Sequence, residues 1–505
     1  MSSMRWVEKM DKFVSIQLNG RRGTYATDLA AQIQKMITTG LLSPGYRLPP
    51  IRKLASMLSI NNVTVITAYK QLEAQGLVYT KPGSGTYCMP LNRYITNTSL
   101  TDKDHIQEKA LINSPLKLFN PGGPTHMINL ADNSPMTELF PLEEFRSAIN
   151  EILDLDGGKA FAYHESAGYS PLRKLLCDLS ESHYRICCSQ ESLLVTSGAQ
   201  QAMDLIAKVL IHPGDTIMAE NPSYIGLRSV LAMHGARILG IPLDMEGVHT
   251  GIIESYARRY NPRLLYTMPV YQTPTGISLS MERRETLLRL AEKYNFYIIE
   301  DDLVSDINLV GARIQPLKSM DKSNRVIYIK SFSKLLMPGI RIGFMIAPPA
   351  LIDRIIDAKA ASDLSSSGFF QRALMVFIYN GCLTRHLNRL SDSLRSMRLT
   401  AMKELNPCKE LGVEYLPGHG GFGIWLTLPS QFKDKELVQR CQKHRVLVAP
   451  GQPFYVTPMA DDSRHIYLNY GSTCIEQICS GIQTVKHCLA DMHKKYSSNS
   501  MLSFS

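Results

Sequence analysis

The sequence predicts a large α/β domain on a mostly parallel sheet, preceded by a small helical head. Three observations predict it. From about residue 125, apolar runs of strand length alternate with stretches of helical periodicity. Residues 1–90 instead carry three helical stretches and a short hairpin signal. Between them, residues 91–124 are polar and broken by Asn, Thr, Gly and Pro. At 505 residues the chain is long enough for two or three domains, and 44% apolar residues suits real cores. The expected boundaries are 22–90 for the head, 91–124 for a linker, 125–492 for the large domain and 493–505 for a disordered tail rich in Ser and Asn.

Composition narrows the classes. No apolar run reaches bilayer length and residues 1–20 lack a signal-peptide core, so a cytoplasmic protein without a membrane partner is expected. Ten cysteines are scattered and none forms a CxxC unit, so reduced thiols and no metal site are expected. The net charge is +10, and residues 1–90 hold eleven Lys/Arg against four Asp/Glu. That is +7 on under a fifth of the chain. Such a local excess points to a polyanion, double-stranded DNA first.

The head reads element by element. Over 25–39, Leu29, Ile33, Met36 and Ile37 share one helical face. Ser43-Pro44-Gly45 is a turn. Pro50 opens a short helix that turns Leu54, Ala55 and Leu58 inward. Ser59-Ile60-Asn61 is short enough for the turn of a helix-turn-helix. The next helix, about Asn62 to Gln75, buries Val65, Ala68 and Leu72, and Gly76 ends it. Leu77–Thr80 and Thr86–Cys88 are short strands around the Lys81–Gly85 tip. Three helices and a basic hairpin make a winged helix-turn-helix, with its second motif helix in the major groove and the wing on phosphates or the minor groove.

In the large domain, 193–196, 216–219, 264–267, 296–300 and 325–328 are continuous strands, and 199–211 and 281–294 are helices. A βαβ pattern places the ligand site at the carboxyl ends of the strands. Chemistry-bearing residues stand there. Ser197-Gly198-Ala199-Gln200 opens a helix whose N–H groups suit a phosphate. Tyr224 can stack on a flat ring or be core. Thr267 is followed by Tyr271-Gln272-Thr273-Pro274-Thr275-Gly276. Glu300-Asp301-Asp302 offers carboxylates for a pyridinium nitrogen, although Asp301 can equally cap a helix. Last come Ser331-Phe332-Ser333-Lys334 and Arg341. A lysine at a strand end can form a Schiff base with an aldehyde cofactor, and the hydroxyls and arginine suit its phosphate. Ser-x-x-Lys alone also occurs in serine hydrolases.

Two resemblances follow. Residues 22–90 resemble the GntR-type winged domain through Gly40, Pro44-Gly45, Leu48-Pro49, Arg52, Leu54-Ala55, Leu58, Thr64-Val65, Ala68, Leu72, Gly76 and Gly83-x-Gly85-Thr86. The resemblance implies that Arg52, Asn61, Asn62, Thr64 and the wing at Lys81 and Gly83 face DNA. Many relatives have arginine where Asn62 stands, and Asn can read adenine. Tyr69 and Lys70 can reach phosphate, or Lys70 can be a plain solvated residue. Residues 125–490 resemble the fold-type I, aspartate-aminotransferase-like enzymes that use pyridoxal 5′-phosphate. Together the two make the chain similar to MocR-type regulators. By that resemblance Lys334 is the Schiff-base lysine, Asp301 holds the pyridine nitrogen and Tyr224 stacks on the ring. Backbone of Ala199 and Gln200 with Ser331, Ser333 and Arg341 holds the phosphate. Tyr163 reaches the phosphate of a neighbouring subunit, which implies a homodimer.

Three positions depart from the aminotransferase pattern. Thr273 stands for the asparagine of Asn-Pro-Thr-Gly, and only Thr273 or Gln272 can replace it in part. Val304 stands for a tyrosine. In His465-Ile466-Tyr467-Leu468-Asn469-Tyr470, Tyr467 stands for the arginine that forks onto a substrate carboxylate, with Arg464 nearby. The cofactor-holding groups stay while the substrate-orienting groups thin out. The expected protein is therefore a DNA-binding transcriptional regulator that binds pyridoxal phosphate as cofactor or effector, takes an amino-containing effector, controls vitamin B6 or amino-acid metabolism genes and is a poor enzyme. Its alternatives are an active aminotransferase with an accessory head, and a cofactor-free dimerisation scaffold, against which the intact Ser331-x-x-Lys334 and Arg341 argue.

Overall fold

The computed structural model describes residues 25–38, 46–74, 77–81, 85–88, 126–132, 134–416, 418–457 and 462–502, with Phe13, Ile16 and Leu42 besides. It divides into two compact units, 1–108 and 109–505. The expected linker 91–124, the turn 43–45 and the wing tip at Gly83 lie outside the described residues.

In the head, α1 is Tyr25–Thr38, α2 Ile51–Met57 and α3 Asn62–Ala74, followed by β1 (Val78–Lys81) and β2 (Gly85–Cys88). The predicted apolar stripes close one core: Leu29 and Ile33, Leu54 and Ala55, and Val65, Ala68 and Leu72 are all buried together. Ile37 and Leu58 pack at its margin. The strands pair antiparallel, Val78 opposite Cys88 and Lys81 opposite Gly85. Residues 46–48 edge this hairpin through Leu48 N–H to Thr86 O at 2.8 Å and Cys88 N–H to Tyr46 O at 2.8 Å.

The large domain is built on an eight-stranded sheet. In chain order, after β3 (Ile128–Asn129), its strands are β4 (Leu193–Thr196), β5 (Thr216–Asn221), β6 (Arg237–Asp244), β7 (Gly247–Val248), β8 (Leu264–Thr267), β9 (Tyr297–Asp302), β10 (Val326–Ser331) and β11 (Gly343–Ile346). They lie in the order β4-β11-β10-β9-β8-β5-β6-β7. The run from β10 to β6 is parallel, while β11 is antiparallel to both its neighbours and β7 to β6. Side chains on both faces of the central strands are buried, which is why they read as continuous apolar runs. β9 and β10 extend beyond the expected ends, to Asp302 and Ser331. Helix α4 (Ala199–Leu210) follows β4 and α5 (Ile225–Met233) follows β5.

A second sheet of four antiparallel strands was not foreseen. It orders β12 (Glu414–Leu416), β13 (Gly423–Thr427), β16 (His465–Asn469) and β15 (Ala449–Pro450), while β14 (Val446–Leu447) pairs with β3. The tail also differs from expectation. Residues 493–505 were expected to be disordered, but the last helix runs Ile475–Leu502. Its end is tied down: Tyr496 donates to Glu436 at 3.0 Å, Lys495 pairs with the same carboxylate at 3.1 Å, and Tyr496 packs on Phe432. Ser/Asn composition is a weak signal against such anchoring. Among the described residues no helix is long and apolar enough to cross a membrane.

Candidate functional site

The head's candidate surface is one end and one face of α3. Asn61 accepts from Val63 N–H at 3.0 Å, so its side chain caps the helix rather than projecting freely. Asn62 and Val63 follow on the exposed first turn, and Ile66 and Lys70 continue the exposed face. Thr64 is half-buried and Arg52 on α2 is exposed. Tyr69 corrects an expectation. It is buried and its hydroxyl donates to Pro49 O at 2.8 Å, so it holds the core and does not reach phosphate. Lys81 ends β1 opposite Gly85.

In the large domain the polar residues converge at the carboxyl ends of β4, β5, β9 and β10. The Glu300-Asp301-Asp302 ambiguity is resolved by strand alternation. Glu300 accepts from Leu317 and Lys318 N–H at 2.6 and 2.7 Å. On the same face Asp302 takes Ser305 Oγ at 2.6 Å, Tyr328 Oη at 2.5 Å and Lys330 Nζ at 3.1 Å. Asp301 points the other way. Its Oδ2 accepts from Tyr266 at 2.7 Å, and its Oδ1 is buried with no partner. The residue is only 2% exposed. Burial pushes its pKa up to about 6, against the pull of the Tyr266 hydrogen bond. A carboxylate that keeps one oxygen empty in a buried site is aimed at a donor that the protein does not supply. A protonated pyridine nitrogen is such a donor.

Lys334 follows the end of β10. Burial pushes its amine down to about 8; Asp132 opposes that shift and Arg341 adds to it. A lysine so depressed is partly neutral near pH 7, the form that attacks an aldehyde. It lines a cavity of about 890 Å³ together with Asp132, Tyr224, Ile225 and Thr473. Burial raises the Tyr224 phenol to about 12, and the Asp301 carboxylate adds to the rise while Arg341 opposes it. Arg341 therefore acts on both Tyr224 and Lys334, and Asp301 acts on Tyr224.

The phosphate side is equally definite. Gly198 caps α4 at φ +95°, and a Cβ there would come within 2.9 Å of Arg341 Nη2. Arg341 donates to Ser197 O and, at 3.1 Å, to Ser333 Oγ. Ser331 Oγ accepts from Ser333 N–H at 3.3 Å. The amides of Ala199 and Gln200 open a helix of 12 residues, whose first N–H groups have no intrahelical partner. Gln200 donates to Gly226 O at 3.4 Å and keeps a buried Oε1 without a partner. Tyr163 lies apart from this group and is 88% exposed.

Two expected substitutes are committed elsewhere. Gln272 donates to Pro222 O at 2.8 Å and accepts from Thr275 N–H at 3.0 Å and Thr275 Oγ1 at 2.6 Å, so its carbonyl oxygen and one N–H are committed within the loop. Thr273 is buried beside it. Arg464 gives two N–H groups to Leu428 O, at 3.1 and 3.0 Å. Tyr467 is 3% exposed on β16, opposite Trp425, and its ring lies over Gly423 and 5.5 Å from that of Phe454. Val304 is buried. Asp132 and Tyr266 escaped the sequence reading, because neither lies in a motif and only pairing brings them to Lys334 and Asp301.

Parallel sheet, strand-end lysine, depressed amine and half-empty aspartate define a pyridoxal-phosphate domain of the aminotransferase fold, joined to a winged DNA-binding head. Residues 125–472 match the family model of aminotransferase class I and II, and 25–88 match that of bacterial regulatory proteins of the gntR family. The chain belongs to the class I and II aminotransferase family and carries a gntR-family domain ahead of it. It is 29% identical to the uncharacterized HTH-type transcriptional regulator YdfD of Bacillus subtilis, over 89% of this chain and 93% of that one. It is also 29% identical to the probable rhizopine catabolism regulatory protein MocR of Rhizobium meliloti, over 72% and 73% of the two chains. Among solved structures it resembles a kynurenine aminotransferase of Pyrococcus horikoshii at TM-score 0.70 and 29% identity, covering 79% of this chain and 98% of that one.

Proposed function

We propose that the protein is a cytoplasmic, homodimeric transcriptional regulator whose head binds operator DNA and whose pyridoxal-phosphate domain responds to an amino-containing ligand. One observation carries this reading. The groups suited to the cofactor persist, while Tyr467 is packed among aromatics and Arg464 is spent on Leu428 O. Efficient transamination needs the amino acid held in one orientation through the transition state, and a guanidinium fork does that best. A sensor needs only unequal binding to two states.

In this reading Lys334 holds the cofactor aldehyde, Asp301 Oδ1 accepts from its ring nitrogen and Tyr224 covers its face. Ala199 and Gln200 amides, Ser331, Ser333 and Arg341 seat its phosphate, with Tyr163 reaching the second subunit's phosphate. Thr273 borders the ring's phenolic oxygen. When bound, the cofactor supplies an electrophilic carbon and an electron sink. In the head, Arg52, Asn62, Thr64, Lys70, Lys81 and Gly83 face DNA, and Asn61 presents the helix by capping it. The test is the visible spectrum of the full chain with pyridoxal phosphate, followed by a panel of L-amino acids. A Lys334-dependent band that the amino acids leave almost unchanged supports a regulator. Rapid conversion of the band by several amino acids supports the aminotransferase instead.

A further inference from the structure

The ionised groups around the cavity do not suit an α-amino acid. The Asp132 charge pulls towards the Lys334 ammonium, although burial outweighs it, and it also acts on Tyr467. Asp132 and Lys334 line the cavity together, and Glu138 stands at its rim. Among the described lining residues there is no arginine or histidine, and Lys334 is the cation. Arg341, whose charge reaches Lys334, is held by Ser197 O and Ser333 Oγ on the phosphate side and is not among the lining residues. The rest of the lining is uncharged: apolar and hydroxylic groups such as Met136, Phe140, Ile225 and Thr473, with the Cys474 thiol and the Gln477 amide.

Once the cofactor engages Lys334, the cavity loses an ammonium and keeps the Asp132 carboxylate. A ligand carboxylate entering there would meet like charge without a free guanidinium. A second ammonium would meet the opposite charge of Asp132. Asp132 is held in place, since its backbone oxygen accepts from Asn469 Nδ2. Resting on the regulator reading above, we propose that the cavity beside Lys334 is a site for cationic amines without an α-carboxylate, such as short diamines, with Asp132 as the group that recognises the second ammonium.

A matched pair of probes tests this. 1,4-Diaminobutane and L-ornithine differ only by the α-carboxylate. Full-length protein is loaded with pyridoxal phosphate, freed of excess cofactor, and titrated with each by calorimetry. The diamine is expected to bind at least about tenfold tighter. The isosteric Asp132→Asn should bring the two within about twofold, compared at equal cofactor loading read separately from the visible band. Equal or tighter binding of L-ornithine, binding of neither probe, or an unchanged preference in Asp132→Asn overturns the proposal. If the wild-type protein shows no Lys334-dependent band, the regulator reading falls with it. A normal band without diamine preference removes the amine site alone.

Discussion

The two units place their chemistry on opposite kinds of position. In the head, the groups suited to a partner are exposed, on the outer face of α3 beyond a closed apolar core. In the large domain the decisive acceptors are buried and left partly unsatisfied, as Asp301 Oδ1 and Gln200 Oε1 are, even though Arg341 and Tyr163 are exposed. Exposed contacts cost the fold little, so a head of this kind can change what it reads without refolding. Buried unpaired groups carry a desolvation penalty that only a ligand relieves. The large domain is therefore expected to tie its stability to its ligand, and the head is not.

Variants can break or sharpen that contrast. The largest effect is expected from Lys334→Ala, which should abolish the visible band of the loaded protein; a persisting band would move the attachment point elsewhere. Next is the ion cluster behind the site. Lys330 is fully buried with Asp302 at 3.1 Å and Asp306 at 2.6 Å. Lys330→Met leaves the buried Asp302 without its cation, while Asp306 keeps Arg313 at 2.6 Å, and should cost roughly 3–5 kcal/mol in denaturant unfolding. A loss below about 1 kcal/mol would show that the cluster rearranges freely.

Asn62→Ala tests the exposed side. It should weaken operator binding by about 1–3 kcal/mol and relax selectivity at the base it reads, with the melting temperature unchanged. Equal losses on all sequences would make Asn62 a phosphate contact. The Lys334 amine gives a pH test. With its pKa lowered from 10.5 to about 8 by burial, the neutral fraction should pass one half near pH 8 and level off above about pH 9. The rate of cofactor attachment should follow that curve, whereas an ordinary lysine would keep accelerating towards pH 10.5. The smallest effect is Tyr69→Phe, which loses the hydrogen bond to Pro49 O and should cost about 1 kcal/mol of head stability without changing the salt dependence of DNA binding.

The same contrast explains what the sequence made legible. Helical spacing identifies Leu29, Ile33, Val65 and Leu72 as core, and by subtraction the exposed face of α3. Alternating apolar runs identify the parallel strands and the residues at their ends. Tyr69 resists that reading, because an aromatic beside Lys70 suits the surface and only its partner Pro49 O places it in the core. Residue type alone does not separate Asp301 from Glu300 and Asp302; the family resemblance singles it out, and strand pairing shows that its neighbours are filled on the other face. The four-stranded sheet hides in strands of two to five residues, too short for a period to show. Asp132 reaches Lys334 only because β3 pairs with β14 and Asn469 holds the loop after it.

The most direct test is the affinity of the full chain for an operator selected from random DNA, measured for the cofactor-loaded protein and for Lys334→Ala. A regulator governed by its large domain should show affinities that differ by about fivefold or more. Identical affinities in both states would contradict that coupling and leave the head and the large domain functionally independent.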